Sequence, residues 1–221
     1  MNPPSILGDL FPRYTRGERL LDNGLHIAGL ILAAIGLPIL LLLGTDAKDM
    51  AVNVSLGLYA LGVVAMLGFS TLYNMTHHPG RKELLRRFDR AAIFLMIAGT
   101  YSVFTLAKIG GGWGIGLFVF VWCVAITGIV LSFAFPRRLE RTTLVLYLML
   151  GWCIVVVLFP LIEAVTIPVL VLLAAGGVIY CIGVGFHVSR LPYQNAIWHL
   201  CVLGAAGCHY AAILDAVAFG A

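Results

Sequence analysis

Hydrophobic residues are gathered into seven long stretches that are separated by short polar connections. The stretches lie at residues 24–44, 52–74, 91–109, 113–135, 143–160, 165–187 and 197–218. An α-helix rises 1.5 Å per residue, so about 20 apolar residues cross a hydrocarbon core that is about 30 Å thick. The pattern therefore predicts an all-α fold, a polytopic membrane protein built as a bundle of seven transmembrane helices.

The composition leaves little room for a soluble domain, because 61% of the residues are hydrophobic and only 11% are charged. We predict two parts: a short cytoplasmic N-terminal segment over residues 1–22 and a single transmembrane domain over residues 23–221. The first part holds prolines, acids and arginines and has no apolar core before Leu25. This argues against a cleavable signal peptide.

The lysines and arginines fall almost entirely on alternate connections. Of the 14 such residues, only Lys48 and Lys108 lie on the other set. Short loops rich in Lys and Arg stay in the cytoplasm, so we predict a cytoplasmic N-terminus and, after seven crossings, a C-terminus outside. The run Arg81–Arg90 belongs to this signal, and after the break at Pro79–Gly80 it predicts an amphipathic turn over Glu83–Arg90 on the membrane surface. Membrane lipids are therefore the expected partners and nucleic acid is not, while the oligomeric state stays open.

Polar side chains are costly inside a bilayer, and they mark functional sites there. With the predicted topology, such residues cluster at the cytoplasmic ends of five spans: Asp22 and His26 in the first, Ser70 and Asn74 in the second, Asp89 in the third, His187 in the sixth, Asn195 and His199 in the seventh. Three of these pairs have i,i+4 spacing and share a helix face. His209 lies about 15 Å deeper along the last helix. The pattern predicts a polar cavity on the cytoplasmic side.

Side chains that only reach water at helix ends are the alternative to such a cavity. For His26 and His187, each beside a helix end, this alternative is favoured. For Asp89 and His199, which have polar neighbours one turn away, a functional role is favoured.

Three segments carry a resemblance to a known family: "STLYN", "LLRRFDRAAIFLMIAGTYSVF" and "YQNAIWHLCVLGAAGCHY". In these the chain resembles the hemolysin III-related membrane proteins, the bacterial branch of the progestin and adipoQ receptor family. The resemblance covers essentially the whole chain, and it implies seven spans and a bacterial inner (plasma) membrane. It also implies a zinc ion on the cytoplasmic side, held by a histidine four residues after the serine and by both histidines of an H-x-x-x-H on the last helix.

This chain departs from that pattern at the implied zinc ligands. Asn74 and Asn195 stand where the resemblance implies histidines, whereas His199 is kept. In the first helix, Asp22 replaces an asparagine of the pattern and His26 is kept. Catalytic zinc usually takes three protein ligands from His, Cys or carboxylate.

The departures predict a weakened zinc site, with His199 and Asp89 as the remaining ligand candidates. Asp89, His199 and His209 together could rebuild a site. Two facing amides can also satisfy each other, so a second expectation is that Asn74 and Asn195 hydrogen-bond to each other in place of a metal.

Two functions remain open from the sequence. The first is a hydrolase of a lipid amide or ester, which the wider grouping of the family with alkaline ceramidases also implies; its catalytic candidates are Ser70, Asp89 and His199. Asp22, His26, Asn74, Asn195 and His209 complete the predicted polar cluster. The alternative is a non-enzymatic sensor of membrane lipid or membrane energetics that has lost the metal. A cytolysin, a channel or a proton-coupled transporter is disfavoured.

Overall fold

Seven long helices form the protein in the computed structural model, which describes residues 14–46, 48–135 and 140–219. Within these ranges there is no strand, and all seven helices are long and apolar enough to cross a membrane. We number them α1 (Arg16–Gly44), α2 (Met50–Met75), α3 (Pro79–Ser102, continued by the π-helical Val103–Ile109), α4 (Gly111–Ala134), α5 (Glu140–Trp152, then the 3₁₀ segment Cys153–Val157 and the helix Leu158–Ala164), α6 (Ile167–His187) and α7 (Gln194–Leu214, continued by the π-helical Asp215–Phe219). The predicted all-α, seven-span fold is confirmed, and the direction in which it crosses the membrane stays a prediction.

The first helix begins at Arg16, inside the predicted N-terminal segment, because Thr15 and Glu18 form a capping box. The Glu18 N–H donates to Thr15 Oγ1 at 3.2 Å, and the Thr15 N–H donates to Glu18 Oε2 at 2.7 Å. Both donors would otherwise lack a partner at the helix start. The rest of the predicted segment, residues 1–13, lies outside the described residues.

The third helix corrects one sequence prediction. It begins at Pro79 and continues without a break, so Glu83–Arg90 forms the first turns of a span and not a separate surface turn. Proline fits the first position of a helix, where its missing N–H costs nothing, so Pro79 starts this helix and does not interrupt it. The charged residues of α3 are thereby carried into the bundle.

The fifth helix is interrupted beside α3. The Tyr101 hydroxyl donates to the Gly151 carbonyl at 2.9 Å and accepts the Ile154 N–H at 2.8 Å. Both backbone groups lie where α5 changes from α-helix to the 3₁₀ segment. Backbone groups freed inside a membrane must find internal partners, and here one side chain of a neighbouring span supplies both.

Close helix packing holds α2 against α3. A Cβ built on Gly99 would lie 2.7 Å from the Leu58 carbonyl oxygen, and one on Gly62 would lie 2.9 Å from the Met96 Cα. Small residues at such crossings let two backbones approach, which is how membrane helices gain packing energy. The outer surface instead carries large exposed apolar side chains, as lipid contact requires; examples are Leu42, Val156 and Phe159.

Candidate metal centre and lipid cavity

Asp22 and His26 lie together in the first turns of α1, and both are buried, with 6% and 5% of their surfaces exposed. The His26 Nδ1–H donates to the main-chain carbonyl of Asp22 at 2.8 Å. A carbonyl can only accept, so Nδ1 carries the proton and Nε2 is left to face Ser70 Oγ of α2 at 3.2 Å. The interpretation of His26 as a residue that merely reaches water is therefore wrong.

The carboxylate of Asp22 also binds the first turns of α7. The His199 Nδ1–H donates to Asp22 Oδ1 at 2.5 Å, and the Asn195 amide donates to Oδ2 at 3.0 Å. The His26 and His199 rings meet edge to face with centroids 4.4 Å apart. One carboxylate thus joins the first helix to the last and orients both α7 side chains.

Glu18, one turn before Asp22, fixes the start of α7. Its Oε1 accepts the Tyr193 N–H at 2.9 Å. Tyr193 has a φ of 59°, in the left-handed region that a bulky residue seldom adopts. Outliers of this kind persist where their surroundings hold them, and this one directly precedes the helix that carries Asn195 and His199.

The two asparagines that replace the expected histidines have separate partners. The Asn74 amide donates to the Ser70 main-chain carbonyl at 3.0 Å, which fixes its orientation, and the same nitrogen lies 3.2 Å from His26 Nε2. The Asn195 amide instead donates a hydrogen bond to Asp22 Oδ2. The expected hydrogen bond between Asn74 and Asn195 is therefore wrong, because each amide faces a different acceptor of the same cluster.

Asp89 and His209 lie beside this cluster. The Ser70 hydroxyl hydrogen-bonds to the Asp89 carboxylate, which also interacts electrostatically with His199. His209 lies deeper, with its Nε2 3.4 Å from the Leu173 carbonyl and its ring against Tyr180. Asp89 is thus linked to the cluster through Ser70, whereas His209 lies apart from the cluster, in the wall of an apolar cavity that is described below.

Asp22, His26 and His199 can hold a metal ion. One ligand atom from each lies within 4.8 Å of the others. A carboxylate and two imidazoles are the donors of many catalytic zinc sites, in which ligand atoms about 2.1 Å from the ion are about 3.4 Å apart. The 2.5 Å between Asp22 Oδ1 and His199 Nδ1 would have to lengthen by roughly 0.9 Å to reach this spacing, a small side-chain movement. The donor set therefore fits zinc in type and number.

Asp22 is the ligand candidate that sequence reasoning missed. The sequence pattern predicts it only as a member of the polar cluster and favours Asp89 as the carboxylate ligand. The signal was present in its i,i+4 spacing with His26 and in the carboxylate standing where the family pattern has an amide.

Two neighbouring cavities share lining residues at the cluster. The polar cavity, about 450 Å³, is lined by residues that include Asn74, Asn195 and Tyr14. Burial, followed by the charges of Asp22 and Glu18, raises the pKa of Tyr14, so this phenol stays neutral. The apolar cavity, about 140 Å³, includes Ser70 and His209. The residues common to both are Asp89, Ile93, Tyr147, Trp198 and His199.

The apolar cavity reaches the lipid-facing surface between α5 and α6. These helices contact each other only sparsely, whereas α6 packs along α7. Gly151, Trp152, Gly177 and Cys181 line this wall, and the Trp152 indole N–H donates to Cys181 Sγ at 3.3 Å. Trp152 is 43% exposed, so this wall of the cavity is also part of the outer surface of the bundle.

Comparisons with known proteins agree with this architecture. The model of the family described as "Haemolysin-III related" matches residues 20–210. The chain belongs to this family. It is 35% identical over 198 residues to "Hemolysin-3" of Bacillus cereus, covering 89% of this chain and 90% of that protein. It is 29% identical over 202 residues to "Hemolysin-3 homolog" of Bacillus subtilis (strain 168), covering 91% and 95%.

A more distant relative extends the family beyond bacteria. The chain is 28% identical over 195 residues to the human "Monocyte to macrophage differentiation factor", covering 85% of this chain and 79% of that protein. The resemblance found in the sequence is therefore confirmed. With seven spans and bacterial members of the family as its relatives, this is an integral membrane protein of the bacterial plasma membrane.

Proposed function

We propose that this haemolysin-III related protein is a membrane-embedded hydrolase that cleaves an amide or ester bond of a lipid. The observation that carries the proposal is the pairing of Asp22 with His199 at the junction of a polar and an apolar cavity. Water and a polar group enter from one cavity and an acyl chain from the other, so a lipid carbonyl comes to lie beside His199.

His199 acts as the general base. Asp22 accepts the Nδ1–H, so the second ring nitrogen keeps its lone pair and takes a proton from the attacking water. The carboxylate stabilises the imidazolium that forms. As the carbonyl–nitrogen or carbonyl–oxygen bond breaks, the same proton passes to the leaving amine or alcohol, and the acyl group departs as a carboxylate.

Ser70 binds the carbonyl oxygen. Its hydroxyl lies between His26 and Asp89, where it can turn to donate to an oxyanion as negative charge develops. If Asp22, His26 and His199 held a zinc ion instead, the ion would take over from His199 the activation of the water, by lowering its pKa, and would also polarise the carbonyl. Asn74 and Asn195 keep His26 and Asp22 in position.

The test is lipid turnover by the purified protein in vesicles that contain labelled N-acyl and O-acyl lipids. Loss of a general base lowers a rate by about 10²–10⁴-fold, so His199→Ala should lose about that much turnover. The control is His78→Ala, because His78 is an exposed residue outside the cluster. Equal turnover in wild type and His199→Ala contradicts the proposal.

A second candidate is a non-enzymatic lipid sensor. The observation that favours it is that the asparagine amides donate to His26 Nε2 and Asp22 Oδ2, two atoms that would otherwise be available to an ion. The hydrogen-bond network is then complete without a metal. Stoichiometric binding of a lipid that is recovered chemically unchanged, together with no turnover, supports this candidate over the first.

A further inference from the structure

One face of α3 changes from cationic to apolar as it enters the bundle. Lys82, Arg86 and Arg90 are spaced four residues apart and share this face, which Ile93 and Ile97 continue. The three cations line the polar cavity, Ile93 lines both cavities, and Ile97 lines the apolar one. A ligand that lies along α3 therefore meets positive charge at one end and hydrocarbon at the other.

The three cations on this face are all partly buried. The Arg86 side chain is only 14% exposed, and the Lys82 ammonium lies 5.0 Å from the centre of the Tyr73 ring. A basic residue whose only role is to set the membrane topology needs to reach water, as Arg81 does on the exposed side of the same helix. Lys82, Arg86 and Arg90 face a cavity, where a bound ligand would meet their charges.

The charge around the polar cavity favours an anion. Among the described residues that line it, Lys82, Arg86 and Arg90 are the basic ones and Asp89 is the acidic one. Glu83, which does not line the cavity, pairs with Arg86 at 3.2 Å, and the Asp22 carboxylate binds Asn195 and His199 on the α7 side, so the positive charge is concentrated on the α3 side of the cavity. Guanidinium groups bind phosphate through two parallel N–H···O bonds, and an ammonium adds a point charge.

We propose that Lys82, Arg86 and Arg90 bind the phosphate headgroup of a single-chain lipid whose acyl chain lies in the apolar cavity. This inference rests on the proposed function, because it names the class of lipid that the site accepts. The apolar cavity of about 140 Å³ is small beside common ligand pockets of about 300–1,000 Å³, so it admits the carbonyl end of one acyl chain and not of two, and the rest of the chain passes out between α5 and α6. Along α3, Arg86 is about 4.5 Å and Lys82 about 10 Å from Asp89, so the headgroup lies one to two turns from the cleavage site.

The experiment compares three probes on the purified full-length protein in a non-ionic detergent. They are oleoyl lysophosphatidate, monooleoylglycerol with the same chain but no phosphate, and inorganic phosphate alone. Binding is measured by native mass spectrometry and by the shift in thermal unfolding temperature. The variants are Arg86→Gln and Arg90→Gln, with Arg86→Lys to keep the charge and Arg81→Gln as a control that removes an equal charge from the exposed face of α3.

We expect lysophosphatidate to bind wild type and Arg81→Gln at least about tenfold more tightly than monooleoylglycerol. The preference should fall about tenfold in each Gln variant and less in Arg86→Lys. Equal affinity for the two lipids in wild type overturns the proposal, as does an unchanged preference in both Gln variants. Phosphate that binds alone as tightly as the lipid also overturns it and identifies a soluble-anion site.

Failure of this inference is distinguishable from failure of the proposed function. Selective binding of lysophosphatidate without hydrolysis of any lipid leaves the headgroup site in place and refutes the hydrolase. Hydrolysis of lipids with no preference for a phosphate group keeps the hydrolase and refutes the headgroup site. Unfolding temperatures without ligand show whether each variant is folded. If a Gln variant is not folded, Arg86→Lys, which keeps the charge, is compared with wild type in its place.

Discussion

Asp22 and His199 are 177 positions apart in the chain and share a hydrogen bond of 2.5 Å that joins the first span to the last. The second oxygen of the same carboxylate accepts the Asn195 amide. A buried carboxylate with partners on both oxygens orients the groups around it and closes the bundle at this end. The contact is therefore structural as well as central to the proposed chemistry.

Replacing this carboxylate by an amide should weaken the contact between α1 and α7. In Asp22→Asn, one of the two oxygens becomes an N–H donor that faces either the His199 N–H or the Asn195 amide. Buried hydrogen bonds to charged groups contribute about 1.5–3 kcal/mol, so we expect the free energy of unfolding to fall by about that amount. Thermal unfolding in detergent measures it, and Asp215→Asn is the control because its bond to Thr166 is exposed. An equal loss in both variants would show that the buried position has no special role.

Zinc binding should depend on the three residues that converge. We expect wild type to retain about one zinc per chain after equilibration and His26→Ala to lose it, because three protein ligands are the usual minimum. Asn74→His adds an imidazole beside His26 and should tighten binding. Elemental mass spectrometry gives the metal content, and a competing chelator gives the affinity. Zinc in Asn74→His but not in wild type would show that the amides have replaced the ion and would favour the sensor.

Tyr101 should be more important for stability than other buried tyrosines. Tyr101→Phe leaves the Gly151 carbonyl and the Ile154 N–H without their partner, and an unsatisfied buried group costs about 1–3 kcal/mol. Tyr147→Phe, the comparison, removes one hydrogen bond to the Arg90 carbonyl. We expect the larger fall in unfolding temperature for Tyr101→Phe. A smaller fall than in Tyr147→Phe would mean that other groups satisfy the break in α5.

The direction of insertion also follows from charge and can be measured. A fluorescent protein that matures only in the cytoplasm should stay dark when fused to the predicted outer C-terminus, and alkaline phosphatase fused there should be active. A fusion after Arg190, on the opposite side, is the matched control and should give the reverse. A bright C-terminal fusion would place the polar cavity on the outer side and exclude a substrate that enters from the inner leaflet.

The hydrophobic pattern was sufficient to predict the seven spans and the end of the bundle at which the polar residues gather, because long apolar stretches have few stable forms in a membrane. It could not predict the break in α5. That break depends on Tyr101, about 50 positions away, supplying hydrogen bonds across a helix interface. The prediction of a surface turn over Glu83–Arg90 was wrong for a related reason. Charged residues at a membrane boundary can lie on the surface or face a cavity, and helix packing decides which.

The site was predicted in part. Spacing brought Asp22, His26, Asn195 and His199 to the same end of the bundle, but which side chains touch depends on the rotation of α1 against α7. That rotation is set partly by Glu18 holding the Tyr193 N–H, a contact with no signal in the spacing. The carboxylate that converges with His26 and His199 is therefore that of Asp22 and not that of Asp89.

Glycine at position 99 should be required for the packing of α2 against α3. In Gly99→Ala the new Cβ meets the Leu58 carbonyl oxygen at 2.7 Å, and a backbone atom in a helix cannot move aside as a side chain can. Overpacking of this kind costs about 1–3 kcal/mol, so the unfolding temperature should fall. Gly57→Ala on α2 is the matched control, because nothing lies within 4 Å of its Cβ and alanine is the better helix former. We expect Gly57→Ala to be neutral or slightly stabilising. If Gly99→Ala were neutral as well, the close approach of α2 and α3 would not be the feature that holds the cavity-lining face of α3 in place.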